Sequence, residues 1–273
     1  MTEARARFAA IVAPSVARVP LAEAALWIAA EEYVSLDVEA YLDRLDEMAE
    51  AARSRLGAGP IDETIARFND FLFRELGFTG NTESYEDPRN SFLNEVLDRR
   101  TGIPITLSLV YTEVAARLGL PVVGVGFPGH FLVKWVQGRG VLIDPFFGKV
   151  VSREECEERL RTNHGPEARL DERMLAPATP REILVRMLRN LKHNYLAAGD
   201  LERSLRAVDR ILLASPEEAA ELRDRGILFF RLECFAAALR DFERYLSLAP
   251  DDPMAAQIRE RLPDLRREVA RLQ

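Results

Sequence analysis

The sequence predicts an α+β protein: helices packed on a small antiparallel sheet over residues 1–180, followed by an all-α repeat region over residues 181–273. Three features carry that prediction. One helix-period apolar face, Leu107 to Leu118, passes directly into β-branched runs broken by turn residues. The segment before it has helical patterning. After Pro177 and Pro180 the pattern is helical to the end and repeats every thirty-four residues.

Leu21 to Ala52 is expected to be helical in two pieces split near Ser35-Leu36-Asp37. Pro20 suits the start, Asp37 can cap the second piece, and Gly57-Ala58-Gly59-Pro60 breaks it. A further helix is expected over Ile61 to Leu76, with Ile65, Phe68, Leu72 and Phe73 inward as core aromatics and aliphatics. Next, the polar series Asn90, Asn94, Glu95, Arg99 and Arg100 surrounds apolar Phe92, Leu93, Val96 and Leu97, as in a helix leading to the Gly102 turn. At i and i+4, Asn90 and Asn94 are expected to share one helix face. That face, with Glu95, Pro104, Thr106 and Ser108, is expected to line a cleft.

Pro104 belongs in the first turn of the central helix, where its missing N–H costs nothing. Leu107, Val110, Tyr111, Val114, Ala115 and Leu118 form the apolar face, and Gly119 ends the helix. Val122 to Phe127, His130 to Val136 and Val141 to Phe146 read as strands, with Gly138-Arg139-Gly140 as turn chemistry. Gly124-Val125-Gly126-Phe127-Pro128-Gly129 matches a dinucleotide fingerprint literally. Pro128 and a β-like run follow it where that motif needs a helix, so it reads as strand and turn.

The order of Thr101-Gly102-Ile103-Pro104, Gly119-Leu120-Pro121, Pro128-Gly129-His130-Phe131-Leu132-Val133 and Leu142-Ile143-Asp144-Pro145-Phe146 resembles the transglutaminase-like core of the papain-like superfamily. In that core a Gly-x-Cys begins a helix, and His and Asp follow on adjacent strands. With Tyr85 to Asn94 and Arg99 to Ser108 added, the longer string resembles the bacterial SirB-one family, which joins such a core to tetratricopeptide repeats. The resemblance implies His130 and Asp144 as the catalytic or relic pair. It places Pro104 where the thiol would stand, so thiol chemistry is not carried over. Cys156 and Cys234, the two cysteines, lie elsewhere and read as reduced intracellular residues.

A carboxylate holding the imidazole through Nδ1–H would leave a general base able to activate a hydroxyl or water. Thr106 and Ser108 are the nearest hydroxyls in sequence. Hairpin register decides whether the pair meets. A two-residue turn at Gly138-Arg139 would put His130 and Asp144 on opposite faces; a three-residue turn at Gln137-Gly138-Arg139 would make them diagonal neighbours on one face. The residues leave both registers open, and the resemblance implies the second.

In the repeat region Ser215-Pro216 and Ala249-Pro250 are one period apart, and the same offset matches Leu201 with Phe235, Leu205 with Leu239, Val208 with Phe242 and Ile211 with Tyr245. That is the helix-turn-helix signature of tetratricopeptides. Two units are expected, Leu188 to Pro216 and Leu222 to Pro250, with a polar capping helix from Asp252; so few repeats are expected to lean on the first domain.

A net charge of −7 argues against a nucleic-acid partner, and the arginines from Arg261 to Arg271 are interleaved with acids. No apolar run is long enough to span a bilayer and no signal-peptide pattern opens the chain, so a cytoplasmic protein is expected. With three histidines and no cysteine pair at ligand spacing, neither a zinc site nor another cofactor is expected. Two functions fit the residues. One is a non-catalytic module that binds a protein or peptide through the repeat surface and the cleft. The alternative is a hydrolase or acyl-transfer enzyme in which His130 and Asp144 activate a hydroxyl or water.

Overall fold

The computed structural model describes residues 2–138 and 140–271. The chain divides into two compact units, one of Met1–Ile11 with Arg18–Ile183, the other of Val12–Ala17 with Leu184–Gln273.

The first unit opens with α1 (Glu3–Ile11), α2 (Leu21–Ala29) and α3 (Val38–Leu56). Asp37 caps α3 by accepting the Ala40 N–H, as its position before the helix predicts. The helix expected over Ile61 to Leu76 is α4 (Ile61–Asp70) running on through a π-helical turn, Phe71–Glu75. Ile65, Phe68 and Leu72 are buried in it, while Phe73 is half-buried.

A two-residue parallel bridge then forms between β1 (Thr79–Gly80) and β2 (Thr101–Gly102). Between them lie a 3-10 turn at Pro88–Ser91 and α5 (Leu93–Arg99). The central helix α6 (Pro104–Arg117) starts at the proline as expected. Its third residue, Thr106, reaches back, and its hydroxyl accepts the Ile103 N–H at 3.1 Å.

The sheet is an antiparallel meander, β3 (Val122–Val125), β4 (Leu132–Trp135), β5 (Val141–Asp144) and β6 (Lys149–Val151), in sequence order. Helix α7 (Arg153–His164) follows, opened by a reciprocal cap between Ser152 and Glu155. Alternation along the strands builds two cores. Val125, Leu132, Leu142 and Val151 pack with Cys156 and Leu160 of α7. Trp135 points to the other face, where its indole N–H donates to the Tyr111 hydroxyl of α6 at 2.8 Å and its ring meets Phe68 edge-on. α6 and α7 therefore cover opposite faces of one sheet.

The second unit takes its first helix from α8 (Pro180–Ala197), followed by α9 (Leu201–Ala214), α10 (Ala219–Arg231), α11 (Phe235–Leu248) and α12 (Ala255–Arg271). The repeat period is visible in its core, where Val208, Phe242 and Tyr245 are joined by Leu222, Leu228, Ala238, Ile258 and Leu262. Gly226 lets α10 and α11 close: a Cβ there would sit 2.6 Å from the Phe242 ring. Charge ties the helices as well. Glu221, nearly fully buried, accepts from Arg189 Nε at 2.8 Å and Lys192 Nζ at 2.7 Å, and Arg225 bridges Asp241 and Asp209.

Candidate functional site

The ladder pairs Val133 with Ile143 and Trp135 with Val141. Continued outward, that register sets Leu132 across from Asp144 and puts His130 one pleat further along the same face. It is the register of a three-residue turn; Arg139 within that turn lies outside the described residues. His130 follows the Pro128-Gly129 turn, where Gly129 takes φ 68°, and the His130 Nε2 lies 2.9 Å from Asp144 Oδ2. The expected Nδ1 contact is thus corrected. A diagonal pair is farther apart than a directly opposed one, so it is the distal ring nitrogen that spans the gap.

Asp144 is fully buried and saturated. Its Oδ1 accepts the Phe146 and Phe147 N–H groups at 3.1 and 3.4 Å, and its Oδ2 also accepts Arg159 NH2 at 2.9 Å. Burial alone would raise the carboxyl's pKa; the hydrogen bonds and charges of His130 and Arg159 overcome it and hold the group below its ordinary value. Arg159 was not anticipated among the site residues. The signal was present: the Ser152-x-x-Glu155 box starts α7, and Cys156, Arg159 and Leu160 then share the helix face turned to the sheet.

Two phenylalanines close over the pair. Phe147 stacks on the His130 ring at 6.3 Å with 17° between planes and lies beneath the Arg159 guanidinium at 5.9 Å. Phe146 meets His130 edge-on at 6.2 Å. Its ring also rests on Gly80, where a Cβ would come within 2.5 Å, and Gly80 pairs with Gly102 just before Pro104. Phe146 therefore fills space between the imidazole and the strands that lead into α6.

The other expected residues are placed as follows. Pro104, Thr106 and Ser108 are buried in α6. The Thr106 hydroxyl donates to Asn90 O at 2.7 Å, with Ile103 O at 3.1 Å as a second acceptor, in addition to its bond from Ile103 N. Ser108 Oγ and Asn94 Oδ1 are buried without a hydrogen-bond partner among the described residues. Asn90 and Asn94 do not share a helix, which corrects that expectation. Asn90 sits in the 3-10 turn and Phe92, extended at φ −98°, ψ 124°, separates it from α5. Asn90 instead ties the preceding loop, donating to Ser84 O and accepting from Asn81 Nδ2. Glu95, in α5, lies by Arg99 at 3.9 Å and acts on the Tyr33 hydroxyl, whose pKa burial and Glu95 both raise.

Cys156 is buried beneath the sheet, and burial pushes its thiol pKa up, the opposite of an activated thiolate. Cys234 is exposed at the start of α11. Among the described residues no group of three His, Cys, Asp or Glu side chains is placed to hold a metal, and no helix is long and apolar enough to cross a membrane.

The second unit carries a separate concavity of about 520 Å³ between α10 and α12. Ile227 and Phe230 form one wall, Met254, Ile258, Leu262 and Leu265 the other, and Phe242 is part of the lining. Ile227, Phe230 and Met254 are among the most exposed large apolar side chains in the chain. Apolar lining with a few polar groups at its edge is the usual make-up of a binding groove.

A helix and meander sheet that bring a histidine onto an aspartate, joined to stacked helical hairpins, define a transglutaminase-like protein with tetratricopeptide repeats. The profile of the transglutaminase-like superfamily matches residues 39–189 and that of a tetratricopeptide repeat matches residues 191–263. A UPF0162 protein of Xylella fastidiosa is 43% identical over 91% of each chain. A UPF0162 protein of Pseudomonas aeruginosa is 37% identical over 90% of each, and Protein SirB1 of Salmonella typhimurium is 31% identical over 86% of this chain and 89% of its own. The chain belongs to this transglutaminase-like SirB1/UPF0162 family. No solved structure matches it significantly.

Proposed function

We propose that this protein is a non-catalytic binding module, its part over residues 1–180 a transglutaminase-like domain without a nucleophile and its part over residues 181–273 a peptide- or protein-binding repeat array. The observation that carries this is the start of α6. Pro104 stands where a thiol would be needed, and the nearby hydroxyl of Thr106 is committed to backbone groups in the core. The surroundings of Asp144 support the same reading. Its charge is shared between His130 and Arg159, which suits a structural clamp holding α7 to the sheet. Binding would fall to the apolar groove of the repeat helices, with no nucleic acid or membrane involved and with the protein in the cytoplasm.

A hydrolase with water as nucleophile is the second reading, and the His130–Asp144 contact at 2.9 Å favours it. Full-length protein and His130→Ala are compared for hydrolysis of activated esters and thioesters and for amine exchange into glutaminyl peptides. A binding module gives equal background rates in both. Turnover that vanishes in His130→Ala establishes the enzyme instead.

A further inference from the structure

The groove between α10 and α12 has a charge bias that narrows what it can hold. Its polar edge is formed by Gln257, Arg261, Asp264 and Glu268. Both carboxylates are already engaged: Asp264 pairs with Arg267, and Glu268 pairs with Arg271 at 2.8 Å. The Arg261 guanidinium has no ion pair or hydrogen-bond partner among the described residues. The same holds for Arg231, one turn beyond Ile227 on the same face of α10 and exposed. An apolar trough open to solvent thus has one uncompensated guanidinium, Arg261, on its edge and a second, Arg231, past the end of its α10 wall, while its acids are paired.

We infer that the groove takes an acidic segment of another protein, with apolar side chains seated against Ile227, Phe230, Met254 and Leu265 and one or more carboxylates meeting Arg261 and Arg231. The inference rests on the binding-module reading and goes beyond it by naming the chemistry of the partner. Guanidinium is suited to this because its planar fork gives a carboxylate two parallel N–H donors, and it is more weakly hydrated than an ammonium. The apolar wall supplies the area-dependent attraction; the arginines supply selection by sign and a faster, salt-sensitive encounter. A basic segment of the same hydropathy meets the same wall with the charges opposed.

Short random peptides displayed on phage are selected against the full-length protein, and the affinities of recovered peptides are measured by fluorescence anisotropy. Expected are peptides enriched in acidic and large apolar residues, weakened roughly tenfold or more by Arg261→Glu, and abolished by Phe230→Asp. Lysine-for-glutamate versions of the same peptides should gain on Arg261→Glu. Unchanged thermal melting by circular dichroism shows that the variants, both at solvent-facing positions, are folded. Acidic peptides insensitive to Arg261→Glu, or peptides with no acidic bias, overturn the inference and leave the binding-module reading standing. Peptides unaffected by Phe230→Asp also overturn it, since they bind elsewhere. Failure of every peptide to bind overturns both. A doubled mass by light scattering that Phe230→Asp returns to monomer also overturns it, because the groove then holds a second copy of this chain.

Discussion

His130 and Arg159 converge on a single oxygen: Nε2 of one and NH2 of the other each lie 2.9 Å from Oδ2 of Asp144. One comes from the loop that leads into β4 and the other from the helix that packs on the sheet. The aspartate is therefore the point at which a loop, a strand end and α7 are fastened together.

Asp144→Asn should destabilise the protein at neutral pH by about 3 kcal/mol, the scale for removing one partner of a buried ionic cluster. The folded carboxyl titrates below its ordinary value of 3.8. Its contribution is thus present above that value and is lost as pH falls through the lower, folded pKa. Urea unfolding followed by circular dichroism should show a gap between variant and parent at pH 7 that narrows in acid below 3.8. A gap that is constant with pH would refute the assignment.

Tyr111→Phe should cost about 1–3 kcal/mol, because the phenol both accepts from Trp135 Nε1 and donates to Asn69 Oδ1 at 2.8 Å, so two groups lose their partner. Calorimetry of the two proteins decides it, and an unchanged melting temperature would mean that water substitutes for the hydroxyl.

Thr106→Val removes the hydroxyl that ties Ile103 N and Asn90 O to the start of α6. A loss of about 1–2 kcal/mol in chemical unfolding is expected, with Thr106→Ser retaining most of the stability. A loss in Thr106→Ser with none in Thr106→Val would assign the stability to the methyl group instead.

Gly226→Ala should destabilise the repeat helices by about 1–3 kcal/mol, since a Cβ would enter the Phe242 ring and α10 and α11 would have to part. The intrinsic preference of helices for alanine runs the other way, by about 1 kcal/mol. A stabilised variant would show that Phe242 can turn aside at little cost. Glu221→Ala is a companion test of about 1–3 kcal/mol in urea unfolding, as Arg189 and Lys192 each lose one acceptor but keep Glu218 and Asp224.

What was legible in the sequence was local. Pro104, the face from Leu107 to Leu118 and the Ser-Pro/Ala-Pro period act over one or two helical turns, so α6 and the hairpins of the repeats lie where their patterns place them. The meeting of His130 with Asp144 needed a register that the turn residues left undecided. Asn90 and Asn94 misled because a spacing of four predicts one face only if the helix is continuous, and Pro88 with the extended Phe92 interrupts it. Arg159 and the β1–β2 bridge are long-range contacts, and no periodicity announces the partner of a lone guanidinium or a two-residue strand.

The indole buried against Tyr111 has a practical side. Trp27 and Trp135 are the chain's two tryptophans, and both lie in the first unit. Intrinsic tryptophan emission therefore follows the transglutaminase-like unit alone, whereas the far-ultraviolet helical signal includes the helices of both units. If denaturant moves the two signals together, the units unfold as one cooperative body; if the signals separate, the repeats have a stability of their own.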